Sequence, residues 1–402
     1  MTNRVLVVGC GFPQLALLRR AKALGLRVFG VDMSREAVGV AECDDFALLS
    51  TTDEDGLVAL VEGEKLRAIT TTGSERALTT TAAVAARTGL PFYADRETVR
   101  RCQEKDAMRD GYRAAGLRVP AFASCRTLAE ARAFTSQHGL PVVVKPARGW
   151  GQRGVARVNE EQDLPRAFEA AMAQSASAGL PVAVVEEWLE GREYSVNGWI
   201  EGGELVAYAV TERITFPGRE PLGVMEKEVY PSGLSPEEEA RVIDEARRGA
   251  AALGHRRGPC YSQVVLTKRG PCLFETAARL GGGFDADVTR LASGVDLYTR
   301  VLGVAVGRAD WEHAGATSDG HGGAVVQFLA GPPGVVRRVE GLAEARSVPG
   351  VEAAEVFAAP GGRIHPLTDA AKRAAYVLAH GAHRTAALAA ADHAARALRI
   401  VT

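Results

Sequence analysis

The sequence predicts an α/β protein that begins with a doubly wound parallel sheet and continues with α+β units. Three observations support this class. Strand and helix patterns alternate over residues 1–95, a compact strand–helix–strand unit covers 119–196, and the tail carries strands and an alanine-rich last helix. Alternation of this kind is typical of parallel sheets covered by helices. Ligands are then expected at the carboxyl ends of the first strands.

Short apolar runs and segments of helical spacing follow one another in order. The expected strands of the first domain lie at 5–8, 27–31, 46–49 and 68–72, and its expected helices at 13–24, 54–62 and 78–88. Later helices are expected at 96–116, 128–138, 163–175 and 236–253, and tail strands at 324–329 and 352–357. The polar, glycine-rich stretch 314–323 is the best linker candidate.

Composition excludes several classes of protein. The 402 residues carry a formal net charge of −1, which gives no electrostatic basis for binding nucleic acid or an anionic membrane. The first residues predict a strand and a glycine–proline loop instead of a signal peptide, and no apolar run reaches the roughly 20 residues of a membrane span. Six scattered cysteines without Cys-x-x-Cys spacing indicate reduced thiols in a cytoplasmic protein.

A lysine and a glycine-rich loop form the first candidate for a binding site. Lys145 ends an apolar run, so it is expected at a strand end that faces a cleft. The loop that follows contains Gly149, Gly151 and Gly154, where backbone N–H groups can approach phosphate oxygens closely. It is not a Walker A loop, because no Gly-Lys-Ser/Thr follows. Taken alone, a hairpin turn remains the alternative.

Two acidic segments come after this loop. Residues 186–193 read Glu-Glu-Trp-Leu-Glu-Gly-Arg-Glu, and residues 275–279 read Glu-Thr-Ala-Ala-Arg before three glycines. Residues 261–266 predict a strand on which Gln263 faces the cleft, paired with the strand that ends at Glu275. A plain strand and acidic turn would explain the composition of the first segment, but not its position between Lys145 and Glu275.

In this order, the lysine with its glycine loop and the two acidic segments resemble the nucleotide site of the ATP-grasp superfamily. The resemblance covers almost the full chain and is to the carboxylate–amine ligase type: bacterial L-amino acid ligases, D-alanine:D-alanine ligases and the synthetase units of carbamoyl phosphate synthetase. It implies the ATP-grasp fold, with a small mobile lid and a C-terminal α+β region. The implied parts are 1–95 (Rossmann-like), 96–118 (helical connection), 119–185 (lid), 186–315 (central domain) and 316–402 (C-terminal region).

The resemblance also implies roles in binding ATP. Lys105 and Lys145 would be the two phosphate-facing lysines, and the case for Lys105 rests on the resemblance alone. Glu186 would accept from the adenine amino group, and Glu193 would take the ribose hydroxyls. The backbone of the residues between them would read the adenine edge: Glu187, Trp188 and Leu189.

The implied metal is Mg²⁺, with Mn²⁺ as an acceptable substitute, and the implied ligands are Gln263 and Glu275. Most relatives have Asp or Glu where this chain has Gln263, but carbamoyl phosphate synthetase resembles it in using glutamine there. An amide oxygen is a suitable ligand for Mg²⁺. The position of a frequent third ligand, Asn, is Ala277 in this chain, so a second ion would be held more by phosphate and water than by protein.

The implied catalytic residue is Arg279, beside the γ-phosphate and the developing tetrahedral centre. Its segment, Glu-Thr-Ala-Ala-Arg, is similar to the Glu-Ser-Ala-Ala-Arg of the bacterial L-amino acid ligases. Trp150 and Arg153 depart from the small, serine-bearing loop of the family. Whether they contact a ligand or stiffen the lid is left open.

The activity that follows from the resemblance is an ATP-dependent ligation of a carboxylate and an amine. An acyl phosphate would form, ADP and phosphate would be released, and the substrates would be an amino acid or small carboxylic acid plus an amine. Whether the protein forms a homodimer is left open. Alternatives are an ATP-grasp step of purine or carbamoyl phosphate metabolism and a non-catalytic nucleotide-binding protein. Gly9, Gly11 and Asp32 also mimic a dinucleotide fingerprint, but Gln14 occupies the place of its third glycine.

Overall fold

The structure is a computed structural model that describes residues 3–149, 151–218, 222–316 and 320–402. Trp150 therefore lies outside the described residues, as does the middle of the linker expected at 314–323. Within the described ranges, no helix combines the length and the apolar character that crossing a membrane requires.

A four-stranded sheet with helices forms the N-terminal part. Its elements are β1 (Arg4–Val8), α1 (Phe12–Ala23), β2 (Arg27–Asp32), β3 (Asp45–Leu48), α2 (Glu54–Gly63), β4 (Ile69–Thr70) and α3 (Glu75–Thr88). The strand order is β3-β2-β1-β4, and every pair is parallel. The strands β1 and β2 are almost entirely buried apolar residues, as expected for a sheet covered on both faces. The doubly wound parallel sheet is confirmed.

Two helices and a second, antiparallel sheet follow. The elements are α4 (Arg96–Gln103), α5 (Lys105–Ala114), β5 (Phe122–Cys125), α6 (Leu128–His138), β6 (Val142–Pro146), β7 (Ala156–Val158), α7 (Leu164–Ser177) and β8 (Ala183–Glu187). The sheet has the order β5-β8-β6-β7. The helix expected over 96–116 is two helices, because Glu104 adopts an extended conformation and forms a bridge with Arg148 of the glycine loop.

The rest of the fold consists of an eight-stranded sheet of order β13-β12-β9-β10-β11-β14-β19-β17, two two-stranded sheets of order β15-β18 and β16-β20, and helices. The elements are β9 (Arg192–Glu201), β10 (Glu204–Thr215), β11 (Met225–Tyr230), α8 (Pro236–Ala252), β12 (Gly258–Thr267), β13 (Gly270–Ala277), α9 (Asp285–Ser293), α10 (Leu297–Val306), α11 (Ala309–Glu312), β14 (Gly323–Leu329), β15 (Gly334–Val335), β16 (Arg338–Glu340), α12 (Leu342–Ser347), β17 (Val351–Val356), β18 (Arg363–Ile364), β19 (Ala375–Gly381), α13 (Arg384–Ala397) and β20 (Arg399–Val401). Strands from both sides of residue 316 share this sheet. The antiparallel tail with its packed helices confirms the C-terminal α+β region.

Helix α10 joins the N-terminal part to the large sheet. All of its residues are buried. Val301 and Leu302 belong to the same apolar cluster as Leu17 and Leu18 of α1 and Trp199 of β9. A helix that is apolar on all sides packs inside a protein, and α10 accordingly fills the space between the two units. The shared core places the carboxyl ends of β1 and β4 beside the large sheet.

Gly303 lets α10 and α11 approach closely. A Cβ atom at this position would lie 2.4 Å from the backbone nitrogen of Glu312 and 2.8 Å from the carbonyl carbon of Trp311. Backbone atoms cannot move aside as the end of a side chain can, so the two helices would have to separate.

We predict that Gly303→Ala lowers the free energy of unfolding by about 1–3 kcal/mol, the usual cost of overpacking, although alanine has the higher helix propensity. Gly63→Ala is the matched control, because a Cβ there meets no atom within 4 Å and the change should be neutral or slightly stabilising. Denaturant unfolding measures both, and equal midpoints for the two variants would contradict the packing argument.

Candidate functional site

A pocket of about 110 Å³, which we call the inter-sheet pocket, lies between the small antiparallel sheet and the large sheet. Many of the residues singled out from the sequence line it: Lys105, Lys145, Glu186, Glu187, Trp188, Leu189, Glu193 and Glu275. They come from α5, β6, β8 with the segment after it, β9 and β13. The fold therefore brings segments that are distant in the sequence to one place.

A larger cavity of about 410 Å³, the central cavity, adjoins this pocket and shares Lys105 and Glu275 with it. Its walls carry the other residues expected from the sequence: Gly149, Gly151, Gln263 and Arg279. Residues of the N-terminal part, among them Gln14 and Glu75, form the opposite wall. The ends of the first parallel sheet thus face the cavity, as expected for a doubly wound sheet.

Gly154 has a different place. It is not among the residues that line either cavity, and it packs against α7 with a left-handed φ of 69°. A Cβ there would lie 3.1 Å from the carbonyl oxygen of Ala170. In this structure the residue permits the close approach of the glycine loop to a helix.

The charged centre of the inter-sheet pocket is Glu186, which is buried on β8. One of its carboxylate oxygens is ion-paired with Lys145, and the other accepts from Arg109 at 3.0 and 3.2 Å. Arg109 is fully buried and also donates to the carbonyl oxygen of Phe274, at 2.8 Å. These ion pairs give Glu186 a structural role in addition to its expected contact with the adenine amino group. Its charge is already compensated, and the oxygen that pairs with Lys145 keeps a further acceptor position, whereas the oxygen that faces Arg109 already accepts two hydrogen bonds.

Burial and neighbouring charges set the protonation of this cluster. Burial lowers the pKa of Lys145 to about 8, although Glu186 acts in the opposite direction. For Glu186, burial acts to raise the pKa, but Arg109 and Lys145 together hold it below its ordinary value. The carboxylate is therefore ionised at neutral pH, while Lys145 titrates close to the physiological range.

Three further contacts hold the walls of the inter-sheet pocket. Lys105 donates to the carbonyl oxygen of Gly149 at 2.9 Å, which connects the start of α5 to the glycine loop. Glu193 is paired with the buried Arg213 at 2.5 Å, and Arg213 also donates to the carbonyl oxygen of Gly223 at 2.6 Å. Both residues expected to contact ATP are thus already oriented by the protein.

Gln263 and Glu275 face one another across the β12–β13 pair, and the register shifts directly after Gln263. The amide nitrogen of Gln263 donates to the hydroxyl of Tyr261. The amide oxygen is buried and has no hydrogen-bond partner within the described part of the chain. An orphaned buried oxygen beside a carboxylate fits a hard divalent cation, which prefers oxygen ligands. Among the described residues, neither here nor at another place do three His, Cys, Asp or Glu side chains converge as a metal site.

Arg279 is held by an acidic residue from the N-terminal part. Its Nε donates to a carboxylate oxygen of Glu75 at 2.6 Å, and its Nη1 donates to the carbonyl oxygen of Leu280 at 2.9 Å. Both side chains of the ion pair are almost completely buried. The guanidinium is therefore oriented at the wall of the central cavity before any ligand binds.

The sequence analysis did not single out three arginines near the site: Arg213 lines both cavities, Arg373 lines the central cavity, and the fully buried Arg109 contacts Glu186. For Arg109 a signal existed. It shares the buried face of α5 with Lys105, Met108 and Tyr112, and an arginine on a buried helix face is rare unless it is paired. Arg213 and Arg373 have no comparable local signal.

The residues that mimic a dinucleotide fingerprint make local contacts instead. The Asp32 carboxylate accepts from the backbone nitrogens of Cys10 at 2.9 Å and Ser34 at 3.0 Å. The side chain of Gln14 donates to the carbonyl oxygen of Thr72 at 2.5 Å and packs on Gly9, where a dinucleotide would approach. These contacts disfavour the binding of a dinucleotide at these residues.

Comparison with known proteins identifies two domains and the fold. Residues 138–287 match the model of the ATP-grasp domain, and residues 327–402 match that of the L-amino acid ligase C-terminal domain 2. The structure is similar to that of an L-amino acid ligase from Bacillus licheniformis, with a TM-score of 0.82 and 20% identity over 99% of this chain and 98% of that chain. Residues 138–287 therefore form an ATP-grasp domain, and the ATP-grasp fold predicted from the sequence is confirmed.

Two proteins of similar sequence match this chain over only part of their own length. An uncharacterized protein of Sinorhizobium fredii is 30% identical over 295 residues, which are 73% of this chain and 60% of that protein. A D-alanine–D-alanine ligase of Marinobacter nauticus is 28% identical over 177 residues, which are 43% of this chain and 52% of that protein. The chain thus spans about half to three fifths of the length of these relatives.

We predict that the affinity for a non-hydrolysable ATP analogue falls as the pH rises through about 8. The ammonium of Lys145 predominates below its lowered pKa of about 8, and above that pH a phosphate would meet a neutral amine. Lys145→Arg should flatten the profile, because a guanidinium stays charged. Lys22→Arg, at the exposed surface near Glu42, is the control. Calorimetry across this pH range would contradict the prediction if the wild-type affinity stayed constant.

We also predict that Glu75→Gln lowers ATP turnover but leaves the affinity for the analogue unchanged. Glu75 orients Arg279 at the central cavity and does not line the inter-sheet pocket. Loss of one donor to a transition-state oxyanion costs about a hundred- to a thousand-fold in kcat, so Arg279→Ala should fall in that range and Glu75→Gln below it. Glu42→Gln, in a surface ion pair with Arg19, is the control. Equal loss of analogue binding and turnover in Glu75→Gln would exclude this positioning role.

Proposed function

We propose that this chain is an ATP-dependent carboxylate–amine ligase that forms an amide through an acyl phosphate and releases ADP and phosphate. One observation carries the proposal. The inter-sheet pocket, which contains paired lysine and glutamate residues, opens into a cavity whose walls carry Glu275, Gln263 and Arg279. The matched C-terminal domain, named after L-amino acid ligases, supports the same activity.

The nucleotide would lie across the inter-sheet pocket and the adjoining central cavity, because about 110 Å³ is too small for all of it. Lys105, Lys145 and the backbone of the glycine loop would bind the phosphates. Glu186 would accept from the adenine amino group, and Glu193 would bind the ribose. Arg109 contributes by keeping Glu186 ionised, since it lowers the pKa of that carboxylate. Positioning and electrostatic stabilisation supply most of the catalysis in phosphoryl transfer.

Gln263 and Glu275 would hold the divalent ion, Mg²⁺ or Mn²⁺, which would neutralise charge on the transferring phosphoryl group. The unpaired amide oxygen of Gln263 and the carboxylate of Glu275 are the ligands that this chain offers.

The central cavity would hold the reacting groups. A carboxylate oxygen of the first substrate attacks the γ-phosphorus of ATP, and ADP leaves. The neutral amine of the second substrate then attacks the carbonyl carbon of the acyl phosphate. The C–O bond to phosphate breaks, phosphate leaves, and the nitrogen loses its proton. Arg279, oriented by Glu75, would stabilise the oxyanion of the tetrahedral intermediate.

The domain division belongs to the same proposal. Residues 119–185, which include most of the small antiparallel sheet, would act as a lid over the inter-sheet pocket. Closure of such a lid excludes water from an acyl phosphate that would otherwise hydrolyse. The contact of Lys105 with the glycine loop would connect this lid to the helical connection, residues 96–118.

The experiment is a screen of the full chain with ATP, Mg²⁺ and pairs of amino acids or small acids and amines. We expect ADP and phosphate in equal amounts, together with an amide detected by mass spectrometry. AMP and pyrophosphate as the main products would refute the acyl phosphate route.

For the metal ligands we predict that Glu275→Gln nearly abolishes turnover while the fold survives. Glu275→Gln removes a charge that would hold the ion. Gln263→Ala removes only a neutral ligand, so its effect on turnover should be smaller and a higher Mg²⁺ concentration should offset it. Circular dichroism verifies the fold of both variants. Near-normal turnover of Glu275→Gln at modest Mg²⁺ would show that another residue holds the ion.

A further inference from the structure

A third cavity, the aromatic pocket, adjoins the central cavity on the side away from the inter-sheet pocket. Its volume is about 230 Å³, and Phe12, Phe284, Phe328 and Phe357 contribute to its wall. Pockets for drug-sized ligands measure about 300–1,000 Å³, so this pocket suits one side chain. It shares Pro13, Gly282 and Arg373, among other residues, with the central cavity, so a substrate at Arg279 could extend into it.

The four aromatic rings come from distant parts of the chain and contact one another. Phe12 of α1 packs edge-on against Phe357, with 4.2 Å between ring centroids, and against Phe284 at 6.1 Å. Phe284 stacks on Tyr376 at 4.0 Å. Tyr298 is also in the wall, but its hydroxyl donates to Asp287 at 2.9 Å. The wall is thus an apolar surface that keeps its shape without a ligand.

The backbone of Phe284 is held in a costly conformation at this wall. Its φ is 63° and its ψ is 22°, the left-handed region, which is unfavourable for a bulky residue and occurs mainly where function or packing requires it. The conformation directs the ring into the aromatic cluster and places the next residue, Asp285, at the central cavity.

Charged groups lie beside the mouth of the pocket. Arg373 lines both cavities, and its guanidinium lies over the ring of Phe328, 3.5 Å from the centroid. Burial lowers the pKa of Arg373 to about 10, and Asp285 acts in the opposite direction. Asp285 accepts from the backbone nitrogen of Gly283 at 2.8 Å. Arg373 therefore lies at the mouth of the aromatic pocket, and Asp285 faces the adjoining central cavity, where its carboxylate also forms a hydrogen bond with the buried Glu228.

We propose that the aromatic pocket binds the large apolar side chain of an α-amino acid substrate, whose carboxylate contacts Arg373 and whose ammonium contacts Asp285. This inference rests on the proposed function, since it names one substrate of that ligase. The side chain would be aromatic or branched aliphatic, because the wall is apolar and the volume fits one such group. The Arg373 and Asp285 charges match the two charges of the amino acid backbone.

Binding of four small compounds to the full chain tests the proposal, with and without a non-hydrolysable ATP analogue. L-Phenylalanine carries all three groups, L-alanine lacks the large side chain, 3-phenylpropionate lacks the ammonium, and 2-phenylethylamine lacks the carboxylate. We expect calorimetry to show that L-phenylalanine binds at least tenfold more tightly than each of the other three. Equal affinities for L-phenylalanine and L-alanine would overturn the pocket assignment. If 3-phenylpropionate bound as tightly as L-phenylalanine, the contact with Asp285 would be overturned. If 2-phenylethylamine did so, the contact with Arg373 would be overturned.

Two variants change the size of the pocket without touching its charges. Ala16 of α1 is half-buried in the wall, so Ala16→Leu should fill the pocket and weaken L-phenylalanine at least tenfold while the affinity for L-alanine stays the same. Phe357→Ala should enlarge the pocket and favour L-tryptophan over L-phenylalanine. The control is Phe46→Ala on β3, whose ring packs under Arg35 far from the cavities. Unchanged L-phenylalanine affinity in Ala16→Leu would refute the proposal.

The outcomes separate this inference from the proposed function. If L-phenylalanine binds with the expected preference but no amino acid pair supports release of ADP, the ligase activity fails and the binding site stands. If pairs of other substrates are ligated and L-phenylalanine binds no better than L-alanine, the ligase activity stands and the aromatic pocket has been assigned wrongly.

Discussion

The inter-sheet pocket depends on the ion pairs that the buried carboxylate of Glu186 forms. This carboxylate joins Lys145 on β6 to Arg109 on α5, and Arg109 continues the connection to the backbone of β13 through Phe274. Removal of one partner from such a buried group leaves an uncompensated charge and typically costs about 3–5 kcal/mol. The small sheet, the helical connection and the large sheet are therefore coupled at the place where a nucleotide would bind.

The central cavity depends on a second long-range pair, between Arg279 and Glu75. It acts together with the apolar core around α10, which holds the N-terminal sheet against the large sheet. The carboxyl ends of β1 and β4 then supply one wall of the cavity, and β12 and β13 supply another. In the proposed reaction, the N-terminal domain thus orients a catalytic group as well as facing the substrate.

The three cavities together suggest a division of roles along one continuous space. The charged inter-sheet pocket would hold part of ATP, the central cavity would hold the rest of ATP with the reacting atoms, and the aromatic pocket would hold a side chain. Specificity of this kind is modest for an apolar pocket alone, because each methylene adds little, and it becomes sharper where charged groups must also be paired. Arg373 and Asp285 supply that second requirement.

The sequence by itself determined the parallel N-terminal sheet, the order of the elements and the segments that converge on the cavities. These features depend on short-range physical effects. Apolar periodicity decides which face is buried, glycines permit tight turns, and capping residues such as Ser74 and Thr127 start helices where they stand. Lys145 could be identified because it ends a buried strand just before a glycine loop, whereas the role of Glu186 was implied by the resemblance to ATP-grasp proteins.

Only the tertiary structure decided which side chains meet. It paired Glu75 with Arg279 and Arg109 with Glu186, and it gathered Phe12, Phe284, Phe328 and Phe357 around one pocket. It also divided the helix expected over 96–116, because Glu104 pairs with the glycine loop. No local spacing encodes these contacts, since they join residues that are brought together only when the helices and sheets pack. Burial in the packed fold then sets the charge state of Lys145 and Glu186, which the isolated sequence leaves at ordinary values.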